Sequence, residues 1–290
     1  MLATALITGL FFTASFGQKE TKEIIVQSYQ EHSPTKYHTI ALEVLNASKN
    51  WISAFNNGDV KTCLKNYDSS AIVRAISNEI VIGTKEIFKS LTSIIESGTS
   101  NIIYNDISIE VASETTVFLS ANWTTNISSG KIYQEKWQKK DDNWVITYHD
   151  IHLLKKFDSK KANNTNPIAN HLILEEVIKA SVKWTNGFNT GKSSVCGSGY
   201  SSDAIMNAMP LSSLNGRPNI EDFWKKLIDQ GATNLTYHNP IFSTKTDDCV
   251  ILSAQWSMNI GEGKIYQEKW TKINNQWLLT YDEFQVLKEY

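Results

Sequence analysis

Two glutamates, Glu135 and Glu268, each sit inside the same eight-residue word, G-K-I-Y-Q-E-K-W, which occupies residues 130–137 and again 263–270. Strand alternation puts Tyr133, Glu135 and Trp137 on one face in the first copy, and Tyr266, Glu268 and Trp270 on one face in the second. The neighbouring runs add Leu119, Ala121, Trp123, Trp144, Ile146 and Tyr148, matched by Leu252, Ala254, Trp256, Trp277, Leu279 and Tyr281. This is the more apolar parity, so it is expected to face the interior, with Asp150 and Glu283 continuing it. A carboxyl group among aromatic rings loses the hydration its charged form needs. Its pKa rises, and it can donate a hydrogen bond near neutral pH. The bland alternative is that Glu135 pairs with Arg74 or Lys136 and that the tryptophans only fill a core.

Other chemistry-bearing patterns are weaker. His149 and His152 form H-x-x-H, but an odd spacing on a strand points them to opposite faces, so no shared metal is expected. G-K-S at 191–193 lacks the preceding glycine spacing of a phosphate loop. Cys63, Cys196 and Cys249 read as small buried thiols. A net charge of −2 without a Lys/Arg block argues against a nucleic-acid partner. No cofactor is implied.

The repeated word belongs to a longer repetition. At an offset of 133 residues, His38 meets His171, Trp51 meets Trp184, Cys63 meets Cys196, Tyr67 meets Tyr200, Tyr104 meets Tyr237, Trp144 meets Trp277 and Tyr148 meets Tyr281, with no gap. The chain therefore reads as a tandem duplication, with repeat 1 over 34–157, a polar linker over 158–170 and repeat 2 over 171–290. Before it, residues 2–16 carry no charge, and Ser15-Phe16-Gly17 precedes Gln18. This is similar to a secretory signal over 1–17, followed by an extension over 18–33. The expectation is a secreted or periplasmic protein, free of the membrane after cleavage.

Within one repeat, Val44, Ala47, Trp51 and Phe55 mark one face of a helix over 40–57. Asp59 caps a short second helix. Residues 71–82 read as a strand. Gly83 opens a third helix that Gly98 stops, and strands follow at 102–111, 115–125, 131–140 and 143–153. Helices followed by a run of strands predict an α+β domain with an antiparallel sheet.

The run W-I-S-A-F-N-N-G-D-V (51–60), then Y-D-S-S-A-I-V (67–73), Gly83 before Ile87, and Y-Q-E-K-W-Q-K-K-D-D-N-W-V-I-T-Y (133–148) resembles the nuclear transport factor 2-like superfamily, which includes SnoaL-like proteins and ketosteroid isomerases. The resemblance spans nearly all of each repeat. It implies two tandem cone-shaped α+β barrels of cystatin-like fold, each a curved antiparallel sheet wrapped on three helices with a pocket at its open end. It also implies pairing through outer sheet faces, here as an intramolecular pseudo-dimer. Glu135 and Glu268 align with the isomerase's hydrogen-bonding acid. The place of its Asp base holds Ala75 and Ala208, and that of its Tyr donor holds Trp51 and Trp184, so steroid isomerase chemistry is not expected.

The leading expectation is a binding protein for a small apolar molecule bearing a polar group. Its contacts would be Trp51, Trp123, Tyr133, Glu135 and Tyr148 in one pocket, and Trp184, Trp256, Tyr266, Glu268 and Tyr281 in the other. The alternatives are a SnoaL-like cyclase, dehydratase or hydrolase using Glu135 and Glu268 with Asp150 and Glu283, or a structural or interaction protein with closed cones. The repeats also diverge. Residues 71–82 are rich in Ile and Val where the second copy reads A-I-M-N-A-M-P-L-S-S-L-N, so one cone can bind while the other supports the pair.

Overall fold

The computed structural model describes residues 33–74, 79–159 and 165–290. The expected signal segment, most of the extension, the middle of the linker and Ala75 lie outside those residues.

Helix α1 (Lys36–Asn56) buries Ile40, Val44, Leu45, Trp51, Ile52 and Phe55 along one side. It stops at Gly58, whose φ of 72° suits a residue without a Cβ. The Asp59 side chain then accepts from the Thr62 N–H at 3.0 Å and starts α2 (Val60–Leu64). The chain continues through β1 (Tyr67–Arg74), β2 (Ile80–Ile82), α3 (Thr84–Glu96), β3 (Ile103–Ser113), β4 (Thr116–Thr124), β5 (Ser128–Lys140) and β6 (Asn143–Lys156). The same order then recurs: α4 (Ala169–Asn189), α5 (Ser193–Ser198), β7 (Tyr200–Met209), β8 (Ser212–Asn215), α6 (Arg217–Asp229), β9 (Thr236–Thr246), β10 (Cys249–Met258), β11 (Gly261–Ile273) and β12 (Gln276–Glu289). The single strand expected over 71–82 is instead the antiparallel pair β1–β2.

The twelve strands of the described residues belong to one large curved sheet of order β2-β1-β6-β5-β4-β3-β9-β10-β11-β12-β7-β8. It is not wholly antiparallel, because β1 runs parallel to β6 and β7 parallel to β12. The long segments between the paired strands, which include α3 in the first half and α6 in the second, let β6 and β12 return beside β1 and β7 in the same direction, which a hairpin cannot do.

The halves meet edge to edge and helix to helix, not through outer sheet faces as expected. β3 pairs with β9 so that Ile109 faces Phe242, its own counterpart, with Ser108 against Ser243 and Glu110 against Ile241. On the helix side, His38 Nε2 lies 2.9 Å from Ser181 Oγ, and His171 Nε2 lies 3.0 Å from Ser48 Oγ. Since 171 and 181 are the counterparts of 38 and 48, the contact is made twice, as in an isologous interface. Joining the free edges of β3 and β9 also satisfies backbone groups that outer-face packing would leave open.

The repeated word has a structural meaning. A Cβ on Gly130 would run into the His152 carbonyl oxygen and lie 2.5 Å from the Trp123 ring; Gly263 stands in the same way between the Gln285 carbonyl and Trp256. Lys131 lies over the Tyr133 ring at 5.0 Å and Lys264 over Tyr266 at 5.1 Å. Ile132 and Ile265 are buried, and Trp137 and Trp270 bond to the glutamates described below. Because the backbone of neighbouring strands cannot give way, Gly130→Ala and Gly263→Ala are each expected to destabilise the protein by about 1–3 kcal/mol or more, read from urea unfolding midpoints.

Candidate functional site

Two of the bulges in each half decide whether the side chains around the glutamates reach the interior. In the β5–β6 ladder, Ile132 pairs with Ile151, Glu135 with His149, and Trp137 with Ile146, with register shifts between Ile132 and Gln134 and between Lys136 and Trp137. Tyr133 is the extra residue on β5 and Thr147 the extra residue on β6. Each bulge reverses the alternation beyond it. The β11–β12 ladder repeats both shifts, at Tyr266 and Thr280.

The bulges correct the expected parity. Tyr133 and Tyr266 are 51% and 43% exposed, so they stand on the solvent side. There Tyr133 packs on His152, while the Tyr266 hydroxyl donates to Gln285 at 2.7 Å. Tyr148 and Tyr281 are only partly buried, and Tyr281 donates to Glu283 at 2.9 Å. Asp150 turns outward to His152 at 2.8 Å and Arg74 at 3.8 Å. The proposed carboxylate pairs Glu135–Asp150 and Glu268–Glu283 therefore do not converge. In their places, His149 and Asp282 enter the interior. Period-two reading missed both residues; the one available sign was that positions 149 and 282 are both titratable.

Glu135 is buried without an ion pair to Arg74 or Lys136. Its Oε1 accepts from the Tyr104 hydroxyl at 2.8 Å and its Oε2 from the Trp137 indole at 2.9 Å, while His149 Nε2 lies 3.6 Å from Oε1. His149 Nδ1 lies 3.0 Å from the Tyr67 hydroxyl. Burial raises the Glu135 pKa to about 7 against the opposing pull of the Tyr104 and Trp137 donors. Burial lowers His149 to about 4, so the imidazole is neutral at pH 7. Tyr67 and Tyr104 belong to this group and were not among the expected site residues, although both recur at the repeat offset.

The second half keeps the frame and changes the contents. Glu268 accepts from Tyr237 at 2.6 Å and Trp270 at 2.9 Å. Asp282 accepts from the Tyr200 hydroxyl at 2.6 Å, and that hydroxyl accepts from the Trp224 indole at 3.2 Å. Both carboxyl pKa values are raised, first by burial, and that of Glu268 also by the neighbouring Asp282.

Beside His149 and Tyr67 lies a cavity of about 950 Å³, walled by Trp51, Phe55, Ile87, Leu91, Trp123 and Ile151 among others. Glu135 does not line it. The corresponding void in the second half is about 20 Å³, among Trp184, Trp224, Tyr237, Trp256, Glu268, Asp282 and Phe284. Two exchanges account for much of the difference: Leu91 and Ile151 correspond to Trp224 and Phe284. The Trp224 ring stacks on Phe284 at 5.7 Å and meets Trp184 edge-on at 5.1 Å, filling the space. Ala208 is fully buried. Among the described residues no cluster of three His, Cys, Asp or Glu side chains could hold a metal ion.

No family model and no curated protein matches this sequence. Solved structures similar to part of it include a protein of unknown function with a cystatin-like fold from Nostoc punctiforme, at 13% identity over 38% of this chain and 88% of that chain, with a TM-score of 0.35. A putative scytalone dehydratase from Novosphingobium aromaticivorans matches at 10% identity over 42% and 89%, with a TM-score of 0.38. A ketosteroid isomerase-like protein from Erwinia carotovora atroseptica matches at 8% identity over 39% and 95%, with a TM-score of 0.35.

The buried carboxyls impose a pH dependence. Asp282 and Glu268 keep protons in the folded state that the unfolded chain releases at the ordinary carboxyl values, near 4. Their contribution is therefore fully present below that value and is lost as pH rises through the raised folded values. His149 acts in the opposite sense, losing stability as pH falls from its ordinary 6.5 toward about 4. Asp282→Asn removes one acid and retains an acceptor for Tyr200. Its melting temperature relative to wild type is expected to be higher at pH 8 than at pH 5, by the equivalent of about 1–3 kcal/mol.

Proposed function

We propose that this is an exported small-molecule-binding protein built from two cone-shaped domains, of which the first holds the ligand and the second is a filled copy that supports it. The single observation behind this reading is the contrast between about 950 Å³ beside His149 and about 20 Å³ beside Asp282, on the same frame of elements. The larger volume falls at the upper end of the range for small-molecule sites, roughly 300–1,000 Å³, whereas the smaller holds at most a water molecule. More than half of the residues lining the larger cavity are aliphatic or aromatic, and His149 and Tyr67 are among its polar groups, which suits an apolar molecule bearing a hydrogen-bonding group. Binding without isomerase chemistry is the function assigned, since the resemblance puts Ala75 in the first half and Ala208 in the second where the isomerase has its base. The uncharged segment over 2–16 supports export.

The frame supports an internal pairing of the two domains through β3–β9 and α1–α4. In this reading the second domain trades a site for stability. Trp224 and Phe284 bury aromatic surface where Leu91 and Ile151 leave space, each large side chain contributing about 1.5–3 kcal/mol when fully buried.

The test is to fill the first cavity with the residues of the second. Wild type is expected to bind one equivalent of the neutral apolar fluorophore Nile red. Leu91→Trp combined with Ile151→Phe should abolish that binding while the melting temperature stays the same or rises. Trp224→Leu combined with Phe284→Ile should leave binding in the first domain intact and lower the melting temperature. Wild type failing to bind Nile red and a chemically diverse ligand panel would defeat the reading.

A further inference from the structure

The two halves share one frame, so residues found only around the open cavity report on what it holds. Besides Tyr67, six hydroxyl side chains line it: Ser90 and Ser93 on α3, Ser97 and Thr99 just beyond it, and Thr125 and Ser128 where β4 passes to β5. The counterparts of these six in the closed half are Phe223, Lys226, Gln230, Ala232, Met258 and Gly261, so none of the six hydroxyls is kept. Positions 90, 93 and 97 form one stripe of the helix. Ile87, Leu91 and Ile94 form the adjoining stripe and line the same cavity. Helix α3 thus presents an apolar band and a hydroxyl band side by side to a cavity that the rings of Trp51 and Trp123 also line.

A second observation is independent of the helix. His149 also lines the cavity and is only 2% exposed, yet its Nε2 atom has no hydrogen-bond partner. Its counterpart Asp282 is bonded to Tyr200. A buried polar atom without a partner is costly, and a ligand oxygen would relieve that cost. The charged lining groups are Glu79, Glu86, Lys89 and Lys156, which balance, and Lys89 is tied to Glu86 at 2.8 Å. No arginine is among the lining residues.

Resting on the binding reading above, we propose that the first cavity selects an uncharged amphiphile, an apolar chain or ring system carrying several hydroxyl or carbonyl oxygens along one flank. Hydroxyl side chains donate and accept equally, so they recognise such oxygens without requiring charge. The apolar body lies against Ile87, Leu91, Ile151 and the two indoles, and the oxygenated flank against the Ser90–Ser93–Ser97 stripe.

The experiment is displacement of Nile red from the full chain by ligands with a matched dodecyl chain, each below its micellar concentration: 1-dodecanol, 1-monododecanoylglycerol, dodecanoate and dodecyltrimethylammonium. The glyceride should displace at about tenfold lower concentration than the alcohol, as one or two extra net hydrogen bonds imply. Neither charged ligand should better the alcohol. The double variant Ser90→Ala, Ser93→Ala should bring the glyceride to the level of the alcohol and leave the alcohol unchanged. Alanine favours the helix, so this variant is expected to keep its fold, checked by circular dichroism. A series indifferent to its head group, or one led by a charged head group, overturns the proposal and leaves the binding reading standing. Nile red that fails to bind at all removes both.

Discussion

The structure turns on a bulged pair of strands that brings a carboxyl group indoors. One extra residue on β5 and one on β6 reverse the alternation twice within a short span, so Glu135 and His149 end on the concave side while Tyr133 and Asp150 end outside. Burying Glu135 is tolerable only because Tyr104 and Trp137 each donate to one of its oxygens and because burial shifts it toward the protonated form. The Tyr104 bond joins β3 and β5 across β4, and the bulges add the local bend a sheet needs to wrap α1. The second half repeats each part with Tyr237, Glu268 and Trp270, which explains why the word G-K-I-Y-Q-E-K-W survives twice when so much around it differs.

On that common frame the halves diverge by volume and polarity. Leu91, Ile151, Ser90 and Thr125 leave one interior hollow; Trp224, Phe284, Phe223 and Met258 pack the other. The buried polar partner changes in step. A neutral histidine faces space, whereas an aspartate that must share its surroundings with Glu268 is closed over by Tyr200 and Trp224. The filled half supplies the burial that the hollow one gives up.

The junction ties the copies together through the same residues that support the carboxyls. His171, bonded to Ser48 on α1, packs its ring 5.9 Å from Tyr104, the donor to Glu135. His38, bonded to Ser181 on α4, packs 5.4 Å from Tyr237, the donor to Glu268. Each half therefore sends one histidine to back the tyrosine of the other. Both imidazoles are held neutral by burial, at about 4 for His38 and about 3 for His171. A buried neutral contact of this kind is insensitive to salt and sensitive to acid.

Much was legible in the sequence alone. The offset repetition, three helices per half, the order of strands, the burial of the tryptophans and a divergence between copies all follow from local pattern, because periodicity, capping residues and glycine at positive φ act over a few neighbours. What it did not determine was the site. A bulge shifts the parity of every residue beyond it, yet it leaves no mark in an alternating string, so Tyr133, Tyr148 and Asp150 read as interior and His149 as exterior. The way the halves join was equally hidden, since β3 and β9 become neighbours only when the two sheets align edge to edge. Nor could composition tell a hollow interior from a filled one. Exchanging Leu91 for Trp224 and Ile151 for Phe284 leaves the apolar pattern intact and changes only volume, and volume has meaning only where the side chains converge in three dimensions.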